Sequence, residues 1–205
     1  RMATKMENLF GRTVIETSEE EITSENVLEV LADASSVHDT NATQIDYLYG
    51  YYKGDQAILS RQKEFNTDIN NTIVENRAKE IVDFWTGYIM GEPIQYIGRG
   101  EVDPEKVNLL NDMMLSEDKD SIDVSIADWQ NICGTAFRCC LPDTDFENEE
   151  ADDVPFELSS LDPRQTFVIY STGIKKEPLA GVYYVVDEQN TKHYTVYTKD
   201  TVYYT

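Results

Sequence analysis

Histidine, cysteine and basic residues are scarce in this chain: 2, 3 and 17 of 205 residues. Each scarcity closes off a class of function. With only His38 and His193, there is little material for imidazole acid–base chemistry or a multi-histidine metal centre, and both are expected at the surface. Cys133, Cys139 and Cys140 are odd in number, and two are adjacent, which does not make a secreted disulfide framework. Together with His193 they match no standard zinc spacing. Neighbours on a strand point to opposite faces, so structural thiols are the reading. No apolar run approaches the length of a membrane span. The sequons at Asn41 and Asn70 follow no signal peptide and carry no weight.

Against 17 basic residues stand 39 acidic ones, a formal net charge of −22. Such a surface repels phosphate, which excludes tight non-specific binding to DNA or RNA and adhesion to anionic membranes. It suits a passage through which DNA moves without sticking, and equally a merely soluble acidic surface. Gly98-Arg99-Gly100 is too short for a phosphate-binding loop. There is no Ser-containing elbow, HExxH or paired CxxC. The acids between 143 and 157 lack the glycine and the alternation of an EF-hand loop, so they read as a solvated loop. The sequence thus offers no catalytic, cofactor-binding or metal-binding residues and no positive evidence for an enzyme.

What is abundant is aromatic: 13 Tyr and 7 Phe. Residues 1–22 carry little pattern and read as an arm, ordered only against a partner; residues 23–205 read as one domain with an acidic loop at 142–157. Ser24 to Ala34 has helical spacing, and polar residues 36–46 are expected to break it. Short helical turns are expected around Gly54. Thr72-Ile-Val-Glu75 reads as a capping box opening a helix to Met90. Its stripe of Val74, Ala78, Ile81, Val82, Trp85 and Ile89 is expected to face a core. Gly87 suggests close packing with another backbone, Gly91 a left-handed helix end, and Pro93 the stop. Pro93 to Ile97 reads as a strand. Asp103-Pro104 starts a helix ending near Leu115, and Glu117 to Asp120 connect it to the next. Ile122, Ile126, Trp129, Cys133 and Phe137 form another stripe, with Gly134 marking the change to a strand at Ala136 to Leu141. Strands follow at Phe167–Tyr170 and Ala180–Val186, then a hairpin of Lys192–Thr198 and Thr201–Tyr204. Helices first and a mostly antiparallel sheet second make the class α+β.

Three motifs follow one another along the chain. Tyr49-Gly-Tyr51-Tyr52-Lys-Gly54-Asp-Gln is followed by Asn70-Asn71-Thr-Ile-Val-Glu-Asn76, then by Gly87-Tyr88-Ile-Met-Gly91-Glu-Pro93. Downstream come Leu161-Asp-Pro163 with Phe167-Val-Ile-Tyr170, and Pro178 to Tyr184. This order resembles the portal proteins of long-tailed, siphovirus-type bacteriophages or prophages over about residues 45–186. The resemblance implies a structural ring, usually of twelve subunits, at one capsid vertex. In that ring the full-length protein would meet copies of itself, capsid or scaffold protein, terminase and the head-to-tail connector. DNA would pass without sequence-specific binding, and no membrane or cofactor is involved. Localisation would be the virion, with host cytoplasm during assembly. The region matched is the portal wing, and the chain's end inside a strand pattern reads as truncation before the stem, clip and crown. Tyr51, Tyr52, Gly54, Asn71, Asn76, Trp85, Gly87, Tyr88, Gly91, Pro93 and Pro163 are the motif residues, with structural roles. Tyr51, Tyr52, Trp85 and Tyr88 are expected in a core, with ring contact as the alternative. Asn71 and Asn76 could bond backbone at a helix start and in the preceding loop, against simple capping by Asn70 or Thr72. From another class, −22 charge alone would suit an acidic adaptor or DNA-mimic module that covers basic protein surfaces.

Overall fold

The computed structural model describes residues 13–62, 64–65, 71–144 and 154–205. Among them are four helices, α1 (Val27–Lys53), α2 (Arg77–Ile89), α3 (Pro104–Ser116) and α4 (Lys119–Cys133), and a 3-10 turn at Ala57–Ser60. The described residues also form seven strands: β1 (Glu16–Thr17), β2 (Phe137–Pro142), β3 (Phe156–Leu161), β4 (Thr166–Ser171), β5 (Pro178–Val186), β6 (Lys192–Tyr197) and β7 (Val202–Tyr204). The class is α+β, with helices leading and a mostly antiparallel sheet following. The chain divides into two compact units, residues 1–48 with 162–205, and residues 49–161. Most of the predicted acidic loop, 145–153, lies outside the described residues, as do residues 1–12 of the predicted arm and Asn70.

The first unit is a five-stranded sheet in the order β1-β4-β5-β6-β7, antiparallel except where β1 pairs in parallel with β4. Phe167 and Val182 are partners, as are Val182 and Val196, so one sheet face is apolar across three strands. Val27, Val30, Leu31 and Ala34 of α1 cover that face, joined by Ile15 and Ile22. Residues 13–22 of the predicted arm are therefore tied to the chain's own sheet. Thr23 and Asn26 open α1 reciprocally: the Thr23 hydroxyl accepts from Glu25 N–H at 3.3 Å, and the Asn26 side chain accepts from Thr23 N–H at 2.8 Å.

Polar residues 36–46 do not break α1, which runs on to Lys53. The buried positions Val27, Val30, Leu31, Ala34, His38, Asn41 and Ile45 keep the three-and-four spacing of one helix face. Two of them are polar, which hides the stripe from a reading by hydrophobicity. Both are satisfied. Asn41 accepts from Thr13 N–H and donates to Thr13 C=O, at 3.1 and 2.9 Å, as a strand neighbour would. His38, 2% exposed, is a core residue and not the surface histidine expected. Its ring stacks on Phe167 at 4.5 Å and meets Tyr184 edge-on at 5.8 Å. Its Nε2–H donates to the Arg164 carbonyl at 3.1 Å, which also accepts from the Tyr184 hydroxyl at 2.9 Å.

Burial holds the His38 pKa below its ordinary 6.5; the bond to Arg164 and nearby Asp39 oppose this, and Lys192 adds to it. The native state therefore favours neutral imidazole, so this unit keeps its full stability above about pH 6.5 and loses it as pH falls from there through the folded-state value. Thermal unfolding of the sheet unit is expected to shift down between pH 7 and pH 5.5, and His38→Phe is expected to flatten that dependence. An unchanged slope in the variant would assign the pH response to other groups.

In the second unit, α4 packs against α2 and β3, and β2 and β3 form an antiparallel hairpin from Phe137 opposite Leu161 to Pro142 opposite Phe156. Strand β3 went unread in the sequence. Asp103 caps α3 by accepting from Glu105 N–H at 3.0 Å, with Pro104 at the first position. Gly134, at φ 72°, closes α4 in the left-handed region just before β2. Three expectations fail between Pro93 and the end of α4. Pro93–Ile97 is no strand: the Tyr96 N–H and C=O are instead clasped by the side chain of Asn111, at 2.8 and 3.0 Å. Helix α4 starts at Lys119, inside the expected connector. Its buried residues are Lys119, Asp123, Ala127 and Cys133, so only Cys133 of the predicted stripe is buried.

Candidate functional site

The motif residues converge where α1 ends and α2 begins. Gly54 leaves the helix at φ 95°, a conformation that costs glycine little and other residues more. Its N–H still reaches the Tyr51 carbonyl, at 3.1 Å. Helix α2 does not open at the Thr72 capping box but at Asn76, whose Oδ1 accepts from Lys79 N–H at 3.0 Å. The same side chain donates through Nδ2 to the Tyr52 carbonyl at 2.8 Å. One amide thus satisfies an orphan N–H of α2 and an orphan C=O at the end of α1. Asn71 lies exposed in the non-helical stretch upstream. Beside this clasp the Tyr52 hydroxyl donates to Asp83 at 3.2 Å, and Lys79 pairs with Asp83 at 2.8 Å. The Lys79 ammonium lies 4.8 Å from the Tyr52 ring centroid. These hydrogen bonds between Lys79 and Asp83 hold the lysine above its ordinary pKa and the carboxyl below its own.

Asn76→Ala is expected to destabilise residues 49–161 by about 1–2 kcal/mol through the lost cap, with a further loss from the freed Tyr52 carbonyl. Asn76→Asp keeps the acceptor and should recover part of the difference in urea unfolding. Equal midpoints for Asn76→Ala and the parent would remove the clasp from the account.

Helix α2 is inverted. Its buried positions are Val82 and Thr86. The Thr86 hydroxyl donates to Asp128 of α4 at 2.7 Å and accepts from Asn131 at 3.2 Å, so a polar network fills the inner side. The outer side carries Ile81 (59% exposed), Phe84 (65%), Trp85 (47%), Tyr88 (74%) and Ile89 (50%). Phe84, Trp85 and Tyr88 touch one another with ring centroids 5.8 to 6.3 Å apart. Covering side chains of this size is worth roughly 1.5–3 kcal/mol each before the costs of association. Contiguous apolar surface of this kind marks an interaction site. Trp85 and Tyr88 are therefore not core residues within this chain, and of the predicted stripe only Val82 is buried. Tyr51 and Tyr52 are half-buried.

The two glycines also behave differently from expectation. Gly87 has open space where a side chain would be: apart from its chain neighbours and the backbone of its own helix, no described atom lies within 4 Å. Gly91 is not left-handed; a Cβ there would lie 2.7 Å from the Gly87 carbonyl, which explains glycine by close approach. Pro163 is fully buried in the sheet unit, beside Arg164, whose guanidinium is held by Asp162 and Asp46 at 2.6 and 3.2 Å.

A family model described as phage portal protein, SPP1 Gp6-like, matches residues 33–205. The chain belongs to this phage portal protein family. The search of curated proteins gives no match. Portal proteins are structural components that form oligomeric rings associated with the capsid. The match begins within α1 and runs through β7, so both the Asn76 clasp and the inverted α2 lie in the portal region. No helix among the described residues is long and apolar enough to cross a membrane. No group of three metal-ligating side chains occurs among the described residues, and a cavity of about 200 Å³, lined by Met90, Pro93 and Ile94 with Glu92, Asp120 and Asp123, is small. The portal's outward aromatic face is the feature sequence reasoning missed. The signal was present: Ile81, Phe84, Trp85 and Tyr88 are a sharper apolar set than Val82 and Thr86, but periodicity alone does not say which side of a helix meets its own chain.

Proposed function

We propose that this chain acts as a structural subunit of a portal ring at the capsid vertex of a long-tailed phage or prophage. In that place it serves capsid assembly, DNA packaging and ejection, and head-to-tail connection. The observation that carries this reading is the inverted α2. A helix with a polar network inside and five exposed apolar side chains outside is built to be completed by another surface. The −22 charge supports the conduit role, because a ring of such subunits offers DNA little to adhere to. The Asn76 clasp fixes where α2 stands relative to the end of α1, which a repeating contact requires. The protein containing this chain is expected to give closed rings by negative-stain electron microscopy. A protein that stays monomeric under every assembly condition tried would overturn the reading.

A further inference from the structure

A closed ring needs two different patches on each subunit, because one self-complementary patch gives only a pair. The second unit carries two patches of matching geometry. On α2, Ile81, Phe84, Trp85 and Tyr88 occupy positions i, i+3, i+4 and i+7. On α3, Lys106, Leu109, Leu110 and Met113 occupy the same four positions. Helix α3 has no fully buried side chain, and in this quartet Lys106 and Leu109 are exposed and Leu110 is at the exposed margin. Four residues at this spacing form the hole that receives a side chain from a facing helix.

Resting on the ring reading, we propose that the aromatic quartet of α2 in one copy seats on the α3 quartet of the next copy. Three features favour this occupant. Each quartet is free of carboxylates, so two chains of net charge −22 meet without bringing acids together. The chemistry is complementary: α3 offers a cation among aliphatics, α2 offers ring faces, and an ammonium over a ring is attractive. The molecule makes that contact within itself, with Lys119 5.5 Å from the Tyr96 centroid and Lys192 4.9 Å from that of Tyr184. The area is also adequate. At about 150–250 Å² per aromatic side chain, the partly exposed α2 quartet offers on the order of 500 Å², much of the roughly 800 Å² per partner in a stable interface. The open space at Gly87 leaves room beside the rings for an entering leucine.

The test is disulfide trapping between copies. In a Cys139→Ser/Cys140→Ser background, Tyr88→Cys protein is mixed with Leu109→Cys protein under assembly conditions and oxidised. The pairing predicts a cross-linked dimer in the mixture and little in either variant alone. Lys106→Glu is expected to weaken assembly at least two- to fivefold. Gly87→Leu should fold normally by circular dichroism and assemble at least tenfold less well. Rings without the mixed cross-link, or Tyr88→Cys joining to itself, would overturn the pairing and leave the ring reading standing. Absence of any assembly in the parent protein would overturn both.

Discussion

Asp123→Ala is expected to destabilise residues 49–161 by about 3–5 kcal/mol, the cost of leaving a buried charge unpaired. Asp123 is 10% exposed in its side chain and pairs with the ammonium of Lys119, itself 5% exposed, at 2.5 Å. Its second carboxylate oxygen takes the Arg138 guanidinium. Lys119 also donates to the Ile94 carbonyl at 2.7 Å. Without Asp123, Arg138 is exposed enough to return to water, but Lys119 is not. Both tryptophans, Trp85 and Trp129, lie in this unit, so urea unfolding followed by tryptophan fluorescence reads it without the sheet unit. Lys119→Met combined with Asp123→Leu removes the charge together with its partner and is expected to recover most of the loss. A single variant within 1 kcal/mol of the parent, on the order of a surface change, would show that Lys119 finds water and that the pair does not hold this unit together.

The second large effect is on assembly. Trp85→Glu with Tyr88→Glu places two carboxylates on the outer side of α2, where the parent has contiguous rings. Neither side chain packs in the chain's own core, so the monomer should keep its helix content and its unfolding midpoint to within about 0.5 kcal/mol, as for ordinary surface changes. Desolvating two charges against an apolar partner costs several kcal/mol, so assembly should weaken by at least about 100-fold. Sedimentation velocity across a concentration series measures it. Loss of secondary structure in the variant would mean that α2's outer side supports the monomer after all. Full retention of assembly would mean that another surface builds the ring.

How much of this was legible beforehand depends on where the stabilising groups are apolar. The sheet unit was readable because Phe167, Ile169, Val182 and Val196 alternate as strands do, and Lys199-Asp200 marks the turn between β6 and β7. Helix α1 was cut short in the reading because His38 and Asn41 occupy core positions, where only tertiary hydrogen bonds to Arg164 and Thr13 make them tolerable. The second unit was the least legible. Its interior is held by Lys119–Asp123 and Thr86–Asp128, and its surface loop by Asn111–Tyr96, polar pairings that hydrophobic patterning does not register. Its most apolar helix face points outward. Helix starts were read well where the cap is local, as at Asp103-Pro104. They were misread where the cap also serves a distant partner, as Asn76 does for Tyr52. Of the eleven residues that carry the portal resemblance, Tyr52, Gly54, Asn76 and Gly91 have a backbone role: an accepted amide, a left-handed turn, a clasp and a close approach.

The most direct measurement is the accessibility of Trp85 before and after assembly. In a Trp129→Phe background Trp85 is the sole tryptophan of these 205 residues, and acrylamide, being neutral, is not repelled by the acidic surface. Quenching should be efficient in the monomer, where the side chain is about half exposed, and should fall several-fold in isolated rings. Equal quenching in monomer and ring would leave the outer side of α2 in water and contradict its role as the contact between subunits.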